Sequence, residues 1–138
     1  MIRLIIVTPE REVCNQDVDR VIVRGSEGDL AFMESTAPLV TPLRIGHIHA
    51  FDLEGNKMSG ANSQGYVTMK DNVATVLTDT FEWDHEIDRQ RAEKAKERAE
   101  AHLRGKAQGK KKVDKERASI ALAKAISRLE LKKDNPNL

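Results

Sequence analysis

Apolar and polar residues alternate with a period near two over the first eighty positions and near 3.6 after them, which predicts strands followed by helices. Residues 2–8, Ile-Arg-Leu-Ile-Ile-Val-Thr, form a β-rich run that stops at Pro9. Cys14 to Asp17 reads as a short polar passage, and residues 18–24 then set Val18, Val21 and Val23 among charged neighbours. A turn at Gly25-Ser26-Glu27-Gly28-Asp29 leads into a short strand over residues 30–33. Pro38 and Pro42 push their predecessors out of the helical region, so residues 37–43 run extended. Further strands are expected over 45–53, 65–70 and 73–78, with hairpin turns at 54–57 and 71–72. Eight or so short strands with frequent turn signals predict an antiparallel sandwich or flattened barrel, and no strand-helix-strand unit argues for a parallel sheet.

From Ile87 the pattern becomes helical. Ile87, Ala92, Ala95, Ala99 and Leu103 recur in steps of three to five, giving one narrow face that can be buried. The stretch 104–112 carries Gly105, Gly109 and four lysines and predicts a solvated turn. Asp114 then caps a second helix with its stripe at Ala118, Leu122, Ala125, Ile126 and Leu129. The expected architecture is a sandwich domain over residues 1–85 and an antiparallel two-helix hairpin over 86–138. That hairpin has little to hold it shut: burying Ile120, Leu122, Ile126 and Leu129 contributes at most about 1.5 to 3 kcal/mol each, against about 1 to 2 kcal/mol of backbone entropy per ordered residue. A ligand or partner can therefore decide whether it stays folded back or opens.

Charge sharpens this division. Residues 1–80 hold 7 Lys/Arg against 11 Asp/Glu, net −4, whereas residues 81–138 hold 16 against 11, net +5. Every aromatic residue (Phe32, Phe51, Tyr66, Phe81, Trp83) precedes position 84, so the main core is expected in the first part. The single cysteine, Cys14, excludes an internal disulfide framework and suits either a reducing compartment or a small buried apolar role. No apolar run approaches the roughly 20 residues that span a bilayer, and no signal pattern opens the chain. A soluble, intracellular protein is expected, reaching a membrane only through partners.

Catalytic chemistry finds no foothold. His47, His49, His85 and His102 are scattered; His47 and His49 share a strand face but would hold a metal only if a third ligand converged. Gly25 to Gly28 lacks the lysine and helix onset of a phosphate loop. One constellation stands out. Arg91 and Arg98 lie two turns apart on one face of the first helix, following Ile87 at i+4 and i+11, and Lys124 and Arg128 share a face of the second. In an antiparallel hairpin these four cations would converge and call for an anion, for which a polyphosphate suits the fork of arginine. Equally, Asp88 can be no more than an N-cap, and pairs such as Lys96 with Glu100 ordinary solvated ones.

Gly25-Ser26-Glu27-Gly28-Asp29-Leu30 with Ala37-Pro38-Leu39-Val40-Thr41, then Ser63-Gln64-Gly65-Tyr66, then Asp71-Asn72-Val73 follow one another in an order and spacing that resembles the Gly-Glu-Leu-Gly-Ile-Leu-Pro-Gly-His-Ala-Pro-Leu, Ser-Gly-Gly-Phe and Asp-Asn-Val stretches of the epsilon subunit of bacterial and chloroplast F-type ATP synthases. The resemblance implies a ten-stranded sandwich followed by a helical hairpin, in a rotor subunit bound to gamma and resting on the c-ring at the cytoplasmic face of the membrane. It further implies that the helices, extended into the alpha/beta hexamer, oppose ATP hydrolysis. Ile87-Asp88-Arg89-Gln90-Arg91-Ala92 fits the ATP-binding motif of Bacillus-type members. The implied regulatory ATP site comprises Glu82, Ile87, Asp88, Arg91, Ala92, Arg98, Lys124 and Arg128, with the acidic groups and backbone reading base and ribose and the cations holding phosphates. Asp29 and Thr36 are the implied contacts with the c-ring or gamma. Two departures stand out: Lys124 replaces an arginine, and Ala31-Phe32-Met33-Glu34-Ser35-Thr36 replaces Gly-Ile-Leu-Pro-Gly-His. Two other readings remain: a nucleic-acid adaptor using the basic tail, disfavoured by its interleaved acids and lack of aromatic platforms, and a rotor subunit whose hairpin is purely structural.

Overall fold

The structure is a computed structural model describing residues 1–105 and 112–134, with side chains described for 1–105 and 115–132. The expected turn at 106–111, the side chain of Asp114 and the expected fraying at 135–138 lie outside the described residues. Two compact units divide the chain, Met1–Trp83 and Asp84–Leu138.

The first unit holds ten strands: β1 (Ile2–Val7), β2 (Glu12–Val18), β3 (Arg20–Gly25), β4 (Gly28–Phe32), β5 (Leu39–Leu43), β6 (Gly46–Phe51), β7 (Lys57–Asn62), β8 (Gly65–Lys70), β9 (Val73–Thr78) and β10 (Phe81–Trp83). Their order is β10-β7-β6-β3-β5-β8-β9-β1-β2, with β4 paired to β3. β3 and β5 meet through the single pair Gly25↔Leu43, so the sheet folds there and its two halves face each other. Period-two alternation sends Ile2, Leu4 and Ile6 from one half and Val21, Val23 and Ile48 from the other into one core. Pairing is antiparallel except between β1 and β9, which run parallel, a departure from the all-antiparallel expectation. The two-residue link between β8 and β9, Asp71-Asn72, has positive φ at both positions (50° and 60°), the geometry that a tight hairpin needs.

Three further differences from expectation have local causes. The passage around Cys14 is strand β2, because Cys14 alternates into the core beside Val18 while its polar neighbours face out. Burial pushes the Cys14 thiol up, which keeps it protonated and inert. β7 was not anticipated: Ser59, Gly60, Ala61 and Asn62 are all buried without an apolar signature, since small residues here admit the Phe81 ring over Gly60. The first helix, α1 (Arg89–Arg104), begins two residues later than Ile87, which follows a single 3-10 turn at Asp84–Glu86.

The helical unit pairs α1 with α2 (Lys112–Asp134). α2 is already helical at Lys112, so Asp114 falls in its first turn rather than at its cap, correcting the expectation. The buried apolar residues of the helical unit, within the described side chains, are Ile87, Ala92, Ala99, Ala118, Ala125 and Leu131, and four of those six are alanine. Ile120, Leu122, Ile126 and Leu129 are only half-buried. The seam is thus thinner than the apolar stripe suggested.

Candidate functional site

The start of α1 is built by Asp88. Its backbone is extended (φ −91°, ψ 111°) and its Oδ1 accepts the Arg91 amide at 3.2 Å, so Asp88 is the helix N-cap. Ile87 and Ala92 bury at 4% and 5% exposure and belong to the seam. Arg91 and Arg98 stand exposed on α1, whereas Lys124 and Arg128 are half-buried on α2. Glu82 belongs to the sandwich, on β10 opposite Ala61. The remaining seven expected nucleotide residues all lie in the helical unit.

Arg98 lines a groove of about 540 Å³ between α1 and α2, together with Ala95, Ala99 and His102 on one side and Arg117, Ala118 and Ala121 on the other. Arg117 and His102 were not among the expected site residues. The signal was present for Arg117, which precedes Lys124 by seven positions and Arg128 by eleven and so shares their face.

The hairpin's other end is fastened by Lys132. Its side chain is buried and its Nζ donates to the Asp84 carbonyl at 3.0 Å, while Arg89 Nη2 donates to the Lys132 carbonyl at 3.4 Å. These bonds tie the last turn of α2 to the residues that lead into α1. Lys132→Met keeps the aliphatic stem but strands the carbonyl, and is expected to cost about 1 to 3 kcal/mol. Hydrogen exchange at residues 84–89 and in the last turn of α2 should accelerate while the sandwich is unchanged.

The expected partner contacts occupy different settings. Asp29 Oδ1 lies 3.3 Å from Arg24 Nε across the β3–β4 hairpin, both side chains exposed, which is a weak, screened pair. The Thr36 hydroxyl is used inside its own turn: it donates to the Met33 carbonyl at 2.7 Å and accepts the Met33 amide at 2.9 Å. The Ser35 amide donates to Asn72 Oδ1 at 2.8 Å, so this loop, lacking the glycines and proline of the resembled stretch, is braced against the Asp71-Asn72 turn. His49 Nδ1 sits 2.7 Å from the Ser59 hydroxyl, and its ring meets that of His47 edge-on at 6.1 Å. Among the described residues no group of three or more His, Cys, Asp or Glu is placed to hold a metal ion, and no helix is long and apolar enough to cross a membrane.

Comparison with known proteins accounts for both units. Residues 1–84 match the family model for the ATP synthase Delta/Epsilon chain β-sandwich domain, and residues 85–133 that for its long α-helix domain. The ATP synthase epsilon chain of Desulforamulus reducens is 40% identical over 127 residues, covering 92% of this chain and 93% of that one. That of Alkaliphilus oremlandii is 45% identical over 101 residues, 73% of this chain and 75% of the other. A chain from the Euglena gracilis mitochondrial ATP synthase superposes with a TM-score of 0.78 at 22% identity, covering 99% of this chain and 81% of its own, a likeness of fold.

Proposed function

Because this chain belongs to the ATP synthase Delta/Epsilon chain family, we propose that its sandwich seats it on the rotor while its hairpin is an ATP-responsive brake on hydrolysis. Membership makes it an epsilon-type, non-catalytic subunit of the central stalk. In this reading gamma and the c-ring hold the sandwich at the cytoplasmic face of the membrane, and the extended helices reach the alpha/beta hexamer. Family membership also favours the stalk role over the nucleic-acid adaptor, which had only the basic tail to support it.

The observation that carries the brake is the alanine seam. Among the described side chains, four buried alanines, one isoleucine and one leucine leave the folded hairpin close to balance, so modest binding energy tips it. ATP supplies such energy: at a hundred times its dissociation constant a ligand stabilises the state it binds by about 2.7 kcal/mol. Arg91, Arg98, Lys124 and Arg128 hold its phosphates, with Lys124 a point charge where arginine would grip through two bonds. Within the helical unit Asp88 serves the base and ribose together with Ile87 and Ala92, and the family resemblance adds Glu82.

Trp83, next to Glu82, reports binding. Its fluorescence is expected to change saturably with millimolar ATP, and Arg91→Ala to raise the midpoint roughly tenfold, as loss of a charge-assisted bond does. A flat titration of the unaltered chain removes the sensor and leaves the rotor assignment standing.

A further inference from the structure

Ser35 is held against its own preference. Its φ of 67° lies in the left-handed region, which an L side chain adopts at a cost and keeps only where its surroundings over-determine it. Within the loop, Thr36 closes a turn on Met33: its amide donates to the Met33 carbonyl at 3.1 Å, and its hydroxyl engages both backbone groups of Met33. The bond that fixes Ser35 itself comes from elsewhere. Its amide donates to Asn72 Oδ1 at 2.8 Å, across 37 positions of the chain.

Asn72 is a firm anchor for that bond. It is half-buried in the β8–β9 turn at φ 60°, a conformation that asparagine tolerates, and its carbonyl accepts the Arg3 amide at 2.9 Å, which ties it to the start of β1 as well. The side chain is left to serve the loop. What it holds in place is a surface: Met33 and Glu34 are exposed, whereas Thr36 is half-buried with its hydroxyl spent inside the turn. Backbone outliers cluster where a chain meets a ligand or partner, and a loop fixed beforehand loses less freedom on docking.

We infer that Asn72 is a positioning residue for partner docking, holding the 33–36 loop so that Met33 and Glu34, rather than Thr36, meet the rotor, which rests on the rotor reading above. The matching surface on the partner has an apolar seat for the adaptable Met33 thioether and a cation opposite the Glu34 carboxylate. In this chain that carboxylate lies 3.5 Å from the Met1 amine, an exposed and screened pair that a partner's cation readily replaces.

Amide exchange of the full chain, read residue by residue by NMR, and titration into synthase stripped of this subunit test it on Asn72→Gly, Asn72→Asp and Met33→Ala variants. Glycine keeps the left-handed turn and removes the acceptor, whereas aspartate keeps both. Asn72→Gly is expected to speed exchange of the Ser35 amide roughly tenfold and to weaken docking roughly tenfold, with exchange in the strands unchanged. Asn72→Asp should restore both, and Met33→Ala should weaken docking while the Ser35 amide stays protected. Docking of Asn72→Gly or of Met33→Ala as tight as that of the unaltered chain overturns the inference and keeps the rotor reading. An unaltered chain that does not dock overturns both.

Discussion

Cutting the chain after Trp83 is expected to raise ATP hydrolysis by the assembled synthase several-fold without preventing assembly. The sandwich ends there: β10 pairs Phe81, Glu82 and Trp83 with Asn62, Ala61 and Gly60, and Phe81 belongs to the core. A cut two residues earlier would leave one residue of β10 and bare the edge of β7, confusing loss of the brake with loss of the fold. Removing residues 84–138 takes away the whole helical unit and its net positive charge, and with them any contact that opposes rotation. Hydrolysis unchanged in the truncated complex would mean that the helices do not restrain the motor.

Gly65→Ala should unfold the sandwich well before any other single methyl addition to a glycine of β8 or the hairpin loops. A Cβ at Gly65 would run into the Leu77 carbonyl oxygen and come within 2.8 Å of Thr78 Cα. These are backbone atoms of the paired strand β9 and cannot swing aside. Overpacking of this kind costs about 3 kcal/mol or more, lowering Tm by roughly 12 to 24 °C. Gly55→Ala is the control: its φ is +88° but nothing lies within 4 Å of the added methyl, so about 1 kcal/mol is expected from the backbone alone. Thermal melts showing equal losses would contradict the β8–β9 register on which the core alternation depends.

Much of this was legible because the governing physics is local. Alternating valines announced β3, Asp71-Asn72 announced its hairpin, and the shift in period after Trp83 announced the helices. β7 was hidden because its burial comes from the room that Gly60 leaves for Phe81, a contact twenty-one positions away that no pattern of apolar residues reveals. The parallel pairing of β1 with β9 is likewise a property of the closed sheet. At the candidate site, residue type and spacing pointed to Arg91, Arg98, Lys124 and Arg128 as a proposed anion cluster, and the cap at Asp88, which the structure shows, followed from its place before the helix. Arg117 was legible in its spacing to Lys124 and Arg128 but was passed over, whereas Lys132 escaped because its role comes from the Asp84 carbonyl that the fold brings to it. The thinness of the seam was visible in outline; that Leu122, Ile126 and Leu129 are only half-buried was not.

Hydrogen exchange on the isolated chain, with and without saturating ATP, bears most directly on the balance between open and closed helices. Strands of the sandwich should be protected in both conditions. Amides of Arg89–Arg104 and Lys112–Asp134 should exchange readily without ATP and about a hundredfold more slowly at a hundred times its dissociation constant. Helices equally and fully protected in both conditions would contradict the account.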